Sequence, residues 1–224
     1  MSWKQRINLP EVVLALLCLL VILFFPPTGI VVSFVVVLIY LLFGKNRMQK
    51  FRSIGFQTPS NMGSAILICL FLGILIEVTS EVFINPLIEL GTKSSINLSD
   101  FDNVRGNIPH YLIWILLGWV IGGFLEEILF RGFLITRLSS VFAKEWVGNI
   151  LAILITSATF GFSHMYQGWS GVISTGLIAI ILGLIFVKSK KILWYSILTH
   201  GFINTTAFTL IYLDFDKVLA TLVF

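Results

Sequence analysis

Glu126 and Glu127 open the stretch EEILFR, which closes on Arg131 and lies inside WILLGWVIGGFLEEILFRGFLI, residues 114–135, one of the most apolar parts of the chain. Bringing a charge to the middle of a bilayer costs from about 3 to above 10 kcal/mol depending on the reference, so such groups must pair, face a wet cavity or stay neutral. On a helix Glu127 and Arg131 stand one turn apart and share a face, whereas Glu126 is turned about 100° from Glu127. The spacing therefore predicts that Arg131 neutralises Glu127 and leaves Glu126 to point elsewhere. A carboxylate in low dielectric suits general acid–base work. The competing reading is an ion cluster that only ties helices together.

The histidines shift that balance. In FGFSH, Phe160 precedes His164 by one turn, and in HGFIN, His200 precedes Asn204 by one turn, which puts each pair on one helix face. A single histidine on an apolar helix is more often structural than catalytic. Two on different spans, with a paired acid on a third, form a hydrolytic set: Glu126, His164, His200 and Asn204. A Glu and a His can deprotonate and orient a water, directly or through a shared metal ion, while a second His and an Asn amide donate hydrogen bonds to a developing oxyanion. Serine chemistry finds no equivalent, since Ser157, Ser163, Ser170 and Ser174 lack a G-x-S-x-G turn, and every Asp falls in an expected loop or tail.

The elements that must position these groups follow from composition. Of 224 residues 57% are hydrophobic and 12% charged, with a mean hydropathy of +0.98; soluble domains are roughly half apolar and a quarter charged. The reading is an all-α polytopic transmembrane bundle of about seven to eight helices around an intramembrane polar cavity, because barrel-type alternation is absent. Apolar segments fall at 12–25, 30–43, 62–83, 108–125 with a continuation to 138, 147–162, 172–187 and 192–213, near the roughly 17–25 residues a crossing helix needs. Breaks are expected at Pro26-Pro27, Pro59, Asn85-Pro86, Pro109 and the lysines 188–191. The first apolar run is expected to be a retained helix, since no small-residue cleavage pattern follows it.

Eleven of the 15 basic residues fall on one side if the N-terminus is cytoplasmic: Lys4, Arg6, Lys45, Arg47, Lys50, Arg52, Arg137, Lys144, Lys188, Lys190 and Lys191. Glu89, Asp100, Asp102, Asp214 and Asp216 gather on the other. The net charge of +4 is scattered between spans, which argues against nucleic-acid binding. Cys18 and Cys69 have no CxxC spacing and read as buried hydrophobes. Glu77 and Glu81, one turn apart on the third span, either line the cavity or form a solvated face.

The three motifs, EExxxR at Glu126, Glu127 and Arg131, FxxxH at Phe160 and His164, and HxxxN at His200 and Asn204, occur in that order on successive apolar spans. In this they resemble the CPBP family, the Abi or CAAX-protease-and-bacteriocin-processing group that includes the prenyl-protein endoprotease Rce1. The resemblance covers about residues 108–204. It divides the one integral domain into N-terminal helices without a signature (1–107), catalytic-core helices (108–213) and a tail or partial helix (214–224). It implies an intramembrane endopeptidase with Glu126 as general base, His164 as its partner on the water, His200 and Asn204 as oxyanion site, and Glu127, Arg131 and Phe160 in support.

For cofactors the resemblance allows either a metal-free glutamate mechanism or a divalent metal such as zinc on Glu126, His164 and His200. The expected partners are the lipid bilayer and a peptide or membrane-protein substrate, lipidated or signalling, in a bacterial plasma membrane. The alternative is a non-catalytic bacteriocin-immunity or regulatory protein with a membrane partner; a transporter is disfavoured because no inverted repeat is evident. One tension stands in this reading. At 1.5 Å per residue Glu126 lies about 27 Å from a start at Ile108, and His164 about 26 Å from an opposite start at Val147, so on straight helices the two do not meet. A break at Gly122-Gly123, or a surface-lying start at Ile108, would reconcile them.

Overall fold

The structure is a computed structural model and describes residues 8–43 and 46–220. Lys4, Arg6 and Lys45 of the basic set, and the end of the tail from residue 221, lie outside the described residues. Among those described there are nine helices and no strand: α1 Leu9–Phe24, α2 Thr28–Leu42, the short α3 Arg47–Ser53, α4 Met62–Thr92, α5 Ile108–Ser139, α6 Glu145–Ser163, α7 Gly168–Lys188, α8 Leu193–Tyr212 and the short α9 Phe215–Ala220. Short 3₁₀ turns cover Ser99–Val104 and Met165–Gln167.

Helix starts follow local chemistry. The Asn61 side chain accepts from Ser64 N at the head of α4, and Asn107 accepts from His110 N at the head of α5, where Pro109 sits in the first turn. Asn85-Pro86 does not break the third span as expected. A π-helical turn at Ser80–Ile84 directly precedes the proline, which has no N–H to give, and the helix carries through to Thr92.

Among the described residues four helices are long and apolar enough to cross a membrane, namely α4, α5, α6, and α7 taken from Met165. Helices α1 and α2 have 16 and 15 residues, short of the roughly 20 for a full crossing. The 20-residue α8 is not among the four because Ser196, Thr199, His200 and Asn204 dilute its apolar surface.

Helix α5 is the axis. Every residue from Ile128 to Ser139 is buried, and Phe130, Phe133 and Leu134 pack with Ile22 of α1, Leu41 of α2, Ile153 of α6 and Phe186 of α7 in the main core. Helix α8 lies against α4 and the first half of α5, and α6 runs along α7. Lipid tails supply no hydrophobic force between helices, so small residues decide how closely backbones meet. At the α6–α7 crossing a Cβ on Gly161 would lie 2.4 Å from Val172 O.

The two ends of the bundle differ chemically. One carries the connections 43–61, 140–144 and 189–192, joined by Arg137 to Glu11 and Ser53, by Leu193 N to Gly55 O, and by Lys191 to Glu145. The other carries 93–107, 164–167 and 213–216, joined by Asn97 to Tyr166 and by Arg105 to Asp214 and Asp216. The Asp216 hydrogen bonds, the largest favourable contribution, hold the Arg105 guanidinium above its already high ordinary value, so it stays charged. Among the described residues most basic side chains thus collect at one end, beside Glu11 and Glu145, and Asp100, Asp102, Asp214 and Asp216 at the other, beside Arg105.

Candidate active site

Most of α5 is not an ordinary α-helix. Gly118–Glu126 and Ile128–Ile135 are π-helical, a widening that is rare and recurs at functional sites. Gly122-Gly123 therefore does not break the segment. Its 32 residues exceed what a crossing needs, and wider turns advance less per residue, so Glu126 sits in the middle of a continuous helix. His164 caps the far end of α6. Both line one cavity of about 220 Å³, together with His200 and Asn204.

The buried end of this cavity is an ionic hub. Glu127, fully buried, accepts Arg131 Nη1 at 2.7 Å as the spacing predicts. The same oxygen, Oε1, lies 2.8 Å from His200 Nδ1, a link the sequence reading did not contain. Arg131 also donates to Ala179 O on α7 at 3.1 Å, so three helices meet at this ion pair. With Nδ1 engaged at Glu127, the other ring nitrogen of His200 is left to the cavity, 4.0 Å from Glu126 Oε2. Glu126 itself is 8% exposed and makes no hydrogen bond to another described residue.

His164 is fixed in the same manner from another direction. Its Nδ1 lies 2.9 Å from Phe160 O, which can only accept, so Nδ1 carries a proton and Nε2 is the nitrogen left to the cavity. Ser163 Oγ donates to the same carbonyl at 2.6 Å, which explains why this serine is structural. Phe160, 3% exposed, holds the polar groups apart: its ring is 4.7 Å from that of His164, 6.2 Å from that of His200, 5.0 Å from Phe130 and 5.2 Å from Arg131 Cζ. Phe160→Ala is accordingly expected to cost about 3–5 kcal/mol, by the measure of core aromatic truncations, and to lower activity. An unchanged thermal unfolding midpoint would contradict this role.

Asn204 donates one amide hydrogen from Nδ2 to Gly118 O at 2.9 Å and keeps the second. The opposite wall is Gly122, where a Cβ would lie 2.3 Å from Asn204 Nδ2 and 3.2 Å from His200 Nε2. Gly118 and Gly122 are site residues that the sequence reading missed or took for a break. Their spacing, small residues four apart on an apolar helix, is the signal that was available. Among the described residues no group of three His, Cys, Asp or Glu side chains is spaced to hold a metal ion, so Glu126, His164 and His200 share a cavity without forming a donor set.

Glu77 lines a second, larger cavity of about 380 Å³ with Glu81, and this cavity shares Asn204, Thr175 and Gln167 with the first. Of the two expectations for Glu77, the cavity wall is the one found. Cys18 and Cys69 are both buried and free.

Residues 108–206 match the family model for Rce1-like proteins, the type II CAAX prenyl endopeptidases. Neither the curated proteins nor the solved structures yield a match. The matched stretch contains EExxxR, FxxxH and HxxxN and every polar side chain just described around the smaller cavity. Over these helices the chain is similar to the Rce1-like family, and its long apolar helices make it an integral membrane protein.

Proposed function

We propose that the chain is an active intramembrane endopeptidase in which Glu126 and His164 activate a water and His200 and Asn204 receive the oxyanion. The observation that carries this is the meeting of these four side chains, from three helices, on one cavity of about 220 Å³. Glu126 takes a proton as the water oxygen attacks the scissile carbonyl carbon, and Nε2 of His164 accepts a hydrogen bond from the other O–H of the water and orients the attack. The carbonyl oxygen becomes an oxyanion facing the remaining Asn204 N–H and His200 Nε2. When the tetrahedral species collapses, the carbon–nitrogen bond breaks and the proton held on Glu126 passes to the leaving amine, which restores the carboxylate.

Charge supports these roles. Glu126, Glu127 and Arg131 sum to one negative charge, and an imidazolium at His200 would bring the cluster to neutrality. That form donates from Nδ1 to Glu127 and from Nε2 to the oxyanion at the same time. The Glu127–Arg131 pair then acts as the anchor that orients His200, as a carboxylate orients the imidazole of a catalytic triad.

The lining of the cavity reaches the connections of the acidic end through Phe101, His164, Tyr166 and Gln167. Because basic loops stay cytoplasmic, substrate would reach it from the non-cytoplasmic face or from within the bilayer. The test is cleavage of a peptide library by purified protein in liposomes, with products read by mass spectrometry. His164→Ala is expected to lower the rate about 100-fold or more, and a zinc chelator to leave the wild-type rate unchanged. Full activity in His164→Ala would remove it from the mechanism. Chelator inactivation reversed by zinc would replace the metal-free route.

A further inference from the structure

The larger cavity is not accounted for by peptide hydrolysis. Glu77 is 5% exposed, lines this space and has no hydrogen bond or ion pair to any described residue. One turn away Glu81 accepts from Asn85 Nδ2, and another two turns on Glu89 accepts from Ile96 N; both also line the space. The Arg105 guanidinium, the cation that the described residues supply to this wall, is committed to Asp214 and Asp216 at 2.9 and 2.6 Å. Three carboxylates thus face the void without a counterion among the described residues.

A buried carboxylate without a partner is costly, so such groups pair or mark a path for a cation. The acids are not spaced for a metal ion. The volume of about 380 Å³ falls within the roughly 300–1,000 Å³ of ligand clefts. The cavity shares the wall residues Asn204 and Thr175 with the smaller one, so a chain held at the scissile bond lies beside it.

We propose that Glu77 and Glu81 form a specificity subsite for a cationic group of the substrate peptide, an arginine or lysine side chain or a free N-terminal ammonium. This rests on the peptidase reading for the identity of the ligand, but its binding test does not require turnover. The occupant is an organic cation that reaches the acids from the bilayer-facing or outer side and supplies a counterion that the described residues do not provide.

The probe is an acetylated, fluorescein-labelled leucine- and alanine-based peptide with one arginine, compared with the same peptide carrying citrulline. A third peptide has citrulline and a free N-terminal amine. Anisotropy is read on full-length protein in nanodiscs of neutral phosphatidylcholine, which give a basic peptide no charged lipid. Wild type is expected to bind the arginine or the free-amine peptide about ten-fold or more tighter than the acetylated citrulline peptide, and whichever gains identifies the source of the cation. Glu77→Gln with Glu81→Gln is expected to erase the preference, whereas Glu126→Gln keeps it. Equal binding of all three peptides by wild type overturns the subsite and needs no variant to fold. A preference that survives in the Glu77→Gln, Glu81→Gln protein, at an unchanged unfolding midpoint, overturns the assignment. A preference erased by those substitutions, with no peptide cleaved, upholds the subsite and counts against the peptidase reading alone.

Discussion

Gly122→Ala is expected to give a folded, membrane-inserted protein that has lost about 100-fold or more of its peptidase activity. The added methyl carbon would lie 2.3 Å from Asn204 Nδ2 and 3.2 Å from His200 Nε2. Both atoms are the far ends of side chains, so the overlap is relieved by swinging the amide and imidazole aside, with little demand on the backbone. Helix propensity works in favour of the substitution, since alanine is better than glycine by about 1 kcal/mol in a helix interior. The loss falls on catalysis, where displacement of a positioned group by about 1 Å costs on the order of 100-fold. Rates measured beside thermal unfolding separate the two effects. A variant as active as wild type would mean that the cavity between Gly122 and α8 is not where the reaction occurs.

Arg131→Met is expected to cost about 3–5 kcal/mol of stability and to abolish activity. It strips the cation from a carboxylate that has no contact with solvent, and uncompensated buried charges carry penalties of that size. Ala179 O loses its donor as well. Combining Arg131→Met with Glu127→Gln removes both charges and is expected to recover most of the stability, because a buried ion pair is often replaceable by neutral groups of similar volume. Activity is not expected to return, since His200 Nδ1 would then face an amide in place of a carboxylate. Unfolding midpoints and cleavage rates of Arg131→Met, Glu127→Gln and the double variant, compared in one cycle, check both halves of the argument.

The apolar spans were legible because the hydrophobic runs are long, and Pro109, expected as a break, sits in the first turn of a helix; the caps at Asn61 and Asn107 emerged only with the structure. Neighbours within one helix were also legible, and the Glu127–Arg131 pair formed as four-residue spacing requires. What spacing cannot convey is a partner on another helix. The His200–Glu127 contact joins residues 73 apart in sequence, and assigning Glu127 wholly to Arg131 concealed it.

The depth conflict between Glu126 and His164 came from assuming 1.5 Å per residue and flush helix ends. The π-helical stretches and the 32-residue length of α5 remove both assumptions, and neither follows from hydropathy. Gly122 was read for backbone freedom when its importance lies in the side chain it lacks. Asn85-Pro86 was read as a stop, although a widened turn just before a proline lets a helix continue. Glu77 was undecidable from sequence, since an acid near a span end faces solvent or cavity according to how neighbouring helices pack.

The central claim is that Glu126 activates water for peptide hydrolysis, and Glu126→Gln tests it most directly. The amide keeps the size of the side chain, so the folded protein should be retained in the bilayer. The measurement is the cleavage rate of one identified peptide in liposomes, for wild type and Glu126→Gln at matched folded concentration. The account predicts a fall of about 100- to 10,000-fold, the range lost with a general base. A Glu126→Gln rate equal to wild type would contradict it.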